Sequence, residues 1–491
     1  MNEIKKAGFK NYNGCFNLVS LLSNTFCGLS AFILFLLNSC AVQDYKPPAL
    51  PLYMGNSELA VRDDSPPEAL PPENRAAIIP SEKSAVLKEF TLNQAVQTAL
   101  QSDPRISAAL ENINQAEADL ITAGLIPNPH ISTDIQLMPL NRSFTVNRQG
   151  GPPQFDFNVS IPIDWFLFGK RAAAITLGKR GVEAASADFA NTVRLRIAAT
   201  IAAFYDVLEI QSMLDLAHEN QRNLARMEHI ILNRVALGGV GTIEADRIKL
   251  SIFGSHREVH ARELDLAAAL NRLRALLGIE NDILIKVKGT LEVETLVQPI
   301  ESETAFKLAE ENRPDLGALR RQLDKANADI KLQESMAYPE VTPAIGYTRQ
   351  FQQQAIGFPD ANSWMAGVSV SVPIFDRNQG NIAKAKSIKN QTQLNLQAQL
   401  VDLRAEIDQA AKTFASSYQF LTNDDPGLLE AANNVRDKIT QAYELGGKTL
   451  IEVLDAQRAY LETYRLHISG RSGYWHSLNQ LNAVIGKEIL R

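Results

Sequence analysis

The chain repeats itself over a very long period, and this repeat limits its possible folds more than any other feature. Sliding residues 95–129 onto 305–339 without a gap aligns Ala95/Ala305, Ala99/Ala309, Pro104/Pro314, Ala108/Ala318, Ala116/Ala326, Ala118/Ala328, Asp119/Asp329 and Pro129/Pro339. The match resumes at Pro162/Pro373 and Gly169/Gly380, where the offset has grown from 210 to 211 residues. Residues Leu270–Gly278 then match Leu478–Gly486 at an offset of 208. Solenoid repeats recur every 20–50 residues, so this period marks a duplicated half-protein. Whatever one half builds is built twice about a pseudo-symmetric axis.

Two intertwined halves account for the 491 residues better than separate globules do. The net charge is −6, and no Lys/Arg tract points to nucleic acid. All three cysteines, Cys15, Cys27 and Cys40, fall in the first 40 residues, which excludes a disulfide framework or cysteine metal cage beyond them. Lys5, Lys6 and Lys10 precede an apolar run, Leu29–Leu37, that is too short to span a bilayer and reads as an export signal over residues 1–39. The run ends in Leu37-Asn38-Ser39-Cys40, which resembles a bacterial lipoprotein cleavage box, so Cys40 is the expected lipidation site. Residues 40–88 are proline-rich and expected to be extended, because proline lacks an amide donor and fixes its own φ.

Each half, 89–298 and 299–491, then reads as helix, two strands and very long helices. Strands are expected at about 130–138, 154–163, 342–352 and 363–374, from alternation of period two. Ile131, Thr133 and Ile135 oppose Ser132, Asp134 and Gln136, and Phe155, Phe157 and Val159 oppose Asp156, Asn158 and Ser160. Ile345 and Tyr347 alternate with Gly346 and Thr348, and Trp364, Val368 and Val370 lie opposite Met365, Gly367 and Ser369. Apolar on one face and small or polar on the other is the pattern of a membrane barrel strand, although an antiparallel soluble sheet shares it.

Residues 182–237 contain neither Gly nor Pro and predict a rod of ~84 Å. Ile197, Ile201, Phe204 and Leu208 carry the spacing of coiled-coil packing, as do Leu396, Leu400, Leu403 and Ile407. Asp424-Asp425-Pro426-Gly427 breaks the matching rod. Both halves reverse at a Leu-Gly-Gly, with Gly238 and Gly239 in one hairpin and Gly446 and Gly447 in the other. Four strands cannot close a membrane barrel, which needs about eight or more, and an open edge in lipid leaves backbone groups unpaired. Strands that enter a membrane here must therefore share a barrel with other copies; two copies give eight strands and three give twelve.

These features resemble the TolC family of outer-membrane efflux factors over about 90–491, with Asp44-Tyr45-Lys46-Pro47-Pro48 also typical of it. The run from Val372 to Ile382, Val-Pro-Ile-Phe-Asp-Arg-Asn-Gln-Gly-Asn-Ile, is similar to the cobalt–zinc–cadmium branch. The resemblance implies a mainly α fold with a membrane β-barrel part: a homotrimer with a twelve-stranded barrel and an α-helical tunnel. It implies a passive conduit, with outer-membrane lipid around the barrel, a periplasmic adaptor and an inner-membrane RND pump as partners, and heavy-metal cations as cargo. It also implies a periplasmic gate at the hairpin Ala442–Ala456, where Tyr443 and Lys448 match the family's lock positions. Glu244, at the equivalent place in the first half, is the expected acidic partner. Glu452 and Asp455 lie three apart on one helical face and are expected to form an acidic constriction.

Other classes fit less well. His256 and His260 are four apart, but the order His-Arg-Glu-Val-His is not that of a zinc protease. No phosphate-binding glycine loop and no nucleophile motif occurs, so neither an enzyme nor a cofactor is expected. Two alternatives stay open: a drug or protein-secretion duct of the same fold, and a periplasmic adaptor or structural coiled coil.

Overall fold

The computed structural model describes residues 87–140, 142–148, 150–280, 283–424 and 427–488. The export signal, Cys40 and nearly all of the proline-rich stretch lie outside the described residues.

The first half begins with β1 (Leu87–Phe90), α1 (Leu92–Ser102) and α2 (Pro104–Gly124). It continues through β2 (His130–Gln136), β3 (Gln154–Ser160), a short α3 (Asp164–Leu167), α4 (Lys170–Ala236), α5 (Thr242–Leu277) and β4 (Leu284–Val287). The second half runs α6 (Ser302–Asn312), α7 (Pro314–Met336), β5 (Glu340–Gln350), α8 (Gln352–Ile356) and β6 (Ala361–Ser371). It ends with α9 (Gln379–Gln419), a π-bulge at Phe420–Asp424, α10 (Leu428–Glu444) and α11 (Leu450–Ile485). The duplication seen in the sequence is thus a duplication of elements.

α4 is 67 residues long, a rod of about 100 Å. It starts at Lys170, well before the expected residue 182, and passes through Gly178 and Gly181. A Cβ at Gly178 would sit 3.0 Å from the Leu120 Cα, so this glycine allows α2 and α4 to approach closely. In the second half the rod is divided by the π-bulge and Gly427, whose φ is 76°.

The four long strands form an antiparallel sheet in the order β2-β3-β5-β6. Register places Ile135 opposite Phe155 and Thr133 opposite Phe157, then Phe157 opposite Tyr347 and Tyr347 opposite Trp364. One face is therefore apolar, and on it Ile131, Ile135, Ile345, Trp364, Val368 and Val370 are exposed. The other face carries rows of polar side chains. The Gln350 amide donates to Gln154 at 3.4 Å, Gln154 donates to Gln136 at 3.3 Å, and the Thr348 hydroxyl donates to the Asp156 carboxylate. The strands end earlier than alternation predicts, at 136, 160, 350 and 371. Pro162 stops the β3 ladder, although Ile161 and Ile163 still donate their N–H groups to Pro343 and Val341.

A two-stranded parallel sheet, β1 with β4, is absent from the expected architecture. Its strands are four residues long, too short for alternation to register. Phe90, Ile285 and Val287 bury into a core with Phe204, Leu208, Leu273 and Leu277. The second half has its own core around Leu316, Leu403, Ile407, Phe414 and Tyr474.

Where each short helix pair meets its rod, the repeat keeps an ion pair and reverses its charges. Asp103, the N-cap of α2, accepts from Arg196 Nε at 2.5 Å. At an offset of 210 the same positions hold Arg313 and Glu406, whose Nη1 and Oε2 lie 2.7 Å apart. Ile197/Ile407 and Phe204/Phe414 flank both pairs at the same offset. Exchanging the elbows would bury like charges together, so the reversal specifies which elbow seats on which rod. Asp103 is 1% exposed and the Glu406 side chain 47%. Arg196→Ala should therefore cost about 1.5–3 kcal/mol, because the buried Asp103 carboxylate loses its ion partner and keeps only the Arg105 N–H at the helix cap. Glu406→Ala should cost under about 1 kcal/mol, because Arg313 keeps its bonds to Asp315. Thermal unfolding in detergent, followed by helical circular dichroism, separates the two variants.

Candidate functional site

The two helical hairpins, α4–α5 and α10–α11, end side by side. Each reverses by the same cap. Gly238 and Gly446 have φ of 72° and 83°, a conformation in which glycine has no Cβ penalty. The Gly239 N–H donates to Arg234 O at 2.8 Å and Gly238 to Val235 O at 3.0 Å. Gly447 donates to Ala442 O at 2.8 Å and Gly446 to Tyr443 O at 2.9 Å. Leu224, Met227, Ile231, Ala245, Ile248, Tyr443, Leu450 and Val453 weld the hairpins together.

Tyr443 stands at the centre of this contact and is buried. Its hydroxyl donates to Glu244 Oε2 at 2.8 Å, which brings together the two residues expected to meet across the hairpins. Burial, and then the Glu244 carboxylate, push the Tyr443 hydroxyl up to about 12. Arg234 completes the group and escaped the sequence reading. Its guanidinium lies 4.7 Å from the Tyr443 ring centroid, and its Nη1 donates to the Tyr443 carbonyl at 3.0 Å. A basic residue in the last turn before Gly-Gly, facing the negative end of a helix, is the signal that marks it.

Lys448 is placed differently from expectation. Its Nζ lies 2.6 Å from Glu452 Oε1, one turn along its own hairpin. Glu452 in turn closes a capping box with Thr449, accepting from the Thr449 N–H at 2.8 Å and its hydroxyl at 3.0 Å. The Lys448 bond first, then the two Thr449 donors, hold the Glu452 carboxyl down at about 2. Asp455 is exposed and lies 3.5 Å from Arg458. Both carboxylates of the expected acidic constriction thus carry a cationic partner within the protomer.

The tip has a pH signature. The folded-state value of Tyr443 lies above its free value of 10.0, so its stabilisation is complete below that pH and is lost as pH climbs towards 12. Tyr205 and Tyr460 are pushed to about 12 as well. Tyr443→Phe should therefore make the fall in unfolding temperature between pH 10 and 12 shallower without abolishing it, measured by thermal melts across that range.

Comparison with known proteins agrees with this architecture. The cobalt-zinc-cadmium resistance protein CzcC of Cupriavidus metallidurans is 25% identical over 402 residues, 81% of this chain and 90% of its own length. The probable outer membrane lipoprotein SilC of Salmonella typhimurium is 21% identical, over 84% of this chain and 94% of its own. The crystal structure of the Campylobacter jejuni CmeC outer membrane channel superposes with a TM-score of 0.67 at 19% identity, covering 81% of this chain and 86% of that one. The outer membrane efflux protein profile matches residues 95–279 and 305–487, the two halves of the repeat. Family membership sets aside the adaptor and structural coiled-coil alternatives: the chain belongs to the outer membrane efflux protein family.

Proposed function

We propose that three copies of this chain close one twelve-stranded barrel in the outer membrane and extend it as an α-helical tunnel through the periplasm. The observation that carries this reading is the open four-stranded sheet, apolar on one face, with β2 and β6 as free edges. Eleven residues of β5 or β6, tilted by about 40°, rise about 28 Å, enough for an apolar band of about 25 Å. The helices support the same head-to-tail closure. α5 packs chiefly along α4, and its Ile243, Leu250, Phe253 and Leu264 are exposed. At the opposite flank, Leu394 and Val401 of α9 and Leu428 and Val435 of α10 are exposed too. A heterologous contact between such flanks makes a ring when its rotation closes, and the family resemblance gives the number as three.

The tube is a passive exit duct. An inner-membrane RND pump loads it through a periplasmic adaptor that draws the tip hairpins apart. The Tyr443–Glu244 bond and Lys448 belong to the closed tip, and Glu452 and Asp455 line its constriction. Threefold symmetry gives six carboxylates there; Glu452 is offset by Lys448 at the helix cap, so the three exposed Asp455 groups, each only loosely paired with Arg458, supply the attraction for cations. Heavy-metal cations are the cargo; the name of CzcC supports this, and that of SilC supports lipid attachment at Cys40.

Deleting the gene should sensitise cells to cobalt, zinc or cadmium and leave antibiotic tolerance unchanged. Antibiotic sensitivity alone would favour a drug duct. In planar bilayers, Tyr443→Phe with Lys448→Ala should raise single-channel conductance, and Asp455→Ala should shift the reversal potential towards lower cation preference. Glu452→Ala should instead chiefly fray α11, since that carboxylate is engaged at the helix cap.

A further inference from the structure

We infer that Gly241 is a positioning residue for closure: by offering no capping hydroxyl, it leaves the Glu244 carboxylate free to hold Tyr443. This rests on the reading that the tip hairpins close the tube, and it explains why only one of two equivalent glutamates reaches across.

Glu244 and Glu452 occupy the same place in the two halves, 208 residues apart. Each is the third residue of its helix, and the N-caps before them are Gly241 and Thr449. The two caps share one backbone conformation, φ −78° and ψ 157° at Gly241 against φ −95° and ψ 158° at Thr449. The cap side chain differs, and so does the residue before it, Val240 in the first half and Lys448 in the second. In the second half, Lys448 Nζ at 2.6 Å, the Thr449 N–H at 2.8 Å and the Thr449 hydroxyl at 3.0 Å all engage the Glu452 carboxylate, and that hydroxyl accepts from the Glu452 N–H, so the carboxylate is folded back over its own helix. In the first half no such hydroxyl exists. The Glu244 N–H turns to the Gly241 carbonyl at 3.1 Å, and the Glu244 carboxylate extends to the Tyr443 hydroxyl.

The glycine is not required for space or for backbone angle. A Cβ at 241 would meet nothing within 4 Å, and its φ is negative. A serine or threonine would fit and would cap α5 well. The position thus gives up a helix cap, and the carboxylate released by that loss makes the inter-hairpin bond. A hydroxyl placed at 241 would recapture Glu244 and leave Tyr443 without its acceptor.

The test compares the full-length Gly241→Ser, Gly241→Ala and Tyr443→Phe proteins as single channels in planar lipid bilayers. Serine should raise open-state occupancy about two- to fivefold. Alanine, which removes the glycine but adds no hydroxyl, should match the unsubstituted protein. In a Glu244→Ala background, which is already open, serine should add nothing. Threonine at 241 repeats the test should serine assemble poorly. If Tyr443→Phe opens the channel while serine and threonine at 241 leave it closed, or if alanine opens it as far as serine does, the role assigned to Gly241 is overturned and the gate survives. If Tyr443→Phe leaves conductance unchanged, the gate reading fails and takes this inference with it.

Discussion

Backbone groups that cannot find water must find each other, and this constraint governs the whole molecule. The apolar face formed by Ile131, Phe157, Tyr347, Trp364 and Val368 suits lipid, yet the sheet that carries it ends at β2 and β6. Each N–H or C=O left unpaired in hydrocarbon costs several kcal/mol, so a lone sheet of this kind is untenable there. In the proposed assembly, other copies supply the missing strands. A second term, burial of apolar surface, acts in the proposed assembly at the outer flanks of α5, α9 and α10, where leucine, isoleucine, valine and phenylalanine are exposed. Sheet and helices are unfinished on the same two sides.

Duplication gives the chain two equivalent halves, and equivalent halves must be told apart. The Asp103–Arg196 and Arg313–Glu406 pairs do so by reversing charge at one position of the repeat. The β1–β4 sheet buttresses only the first half, and the π-bulge interrupts only the second rod. At the tip, the Gly241–Thr449 difference gives two aligned glutamates separate tasks, one holding a helix end and the other a neighbouring hairpin.

Much of this was legible from residue order. The repeat, the alternation in 130–136 and 363–371, and the Leu-Gly-Gly turns each follow from a local rule of period or backbone conformation. The meeting of Glu244 with Tyr443 follows instead from the resemblance to a family lock position, with Glu244 found by aligning the halves. What escaped depends on three-dimensional packing. Arg234 is marked in sequence only as a basic residue in the last turn before Gly-Gly, and its value lies in reaching a ring and a carbonyl 209 residues away. Lys448 matched a family lock position, yet a glutamate one helical turn on is a nearer partner than anything across the hairpins. The short β1 and β4 strands hold too few residues for any period, and the extension of α4 through Gly178 depends on the neighbouring Leu120.

The number of chains per particle tests the shared wall most directly. Native mass spectrometry of the detergent-extracted protein should show three copies and no stable smaller species. A folded single copy that stays in water without detergent would contradict it, because such a sheet would have no need of partners.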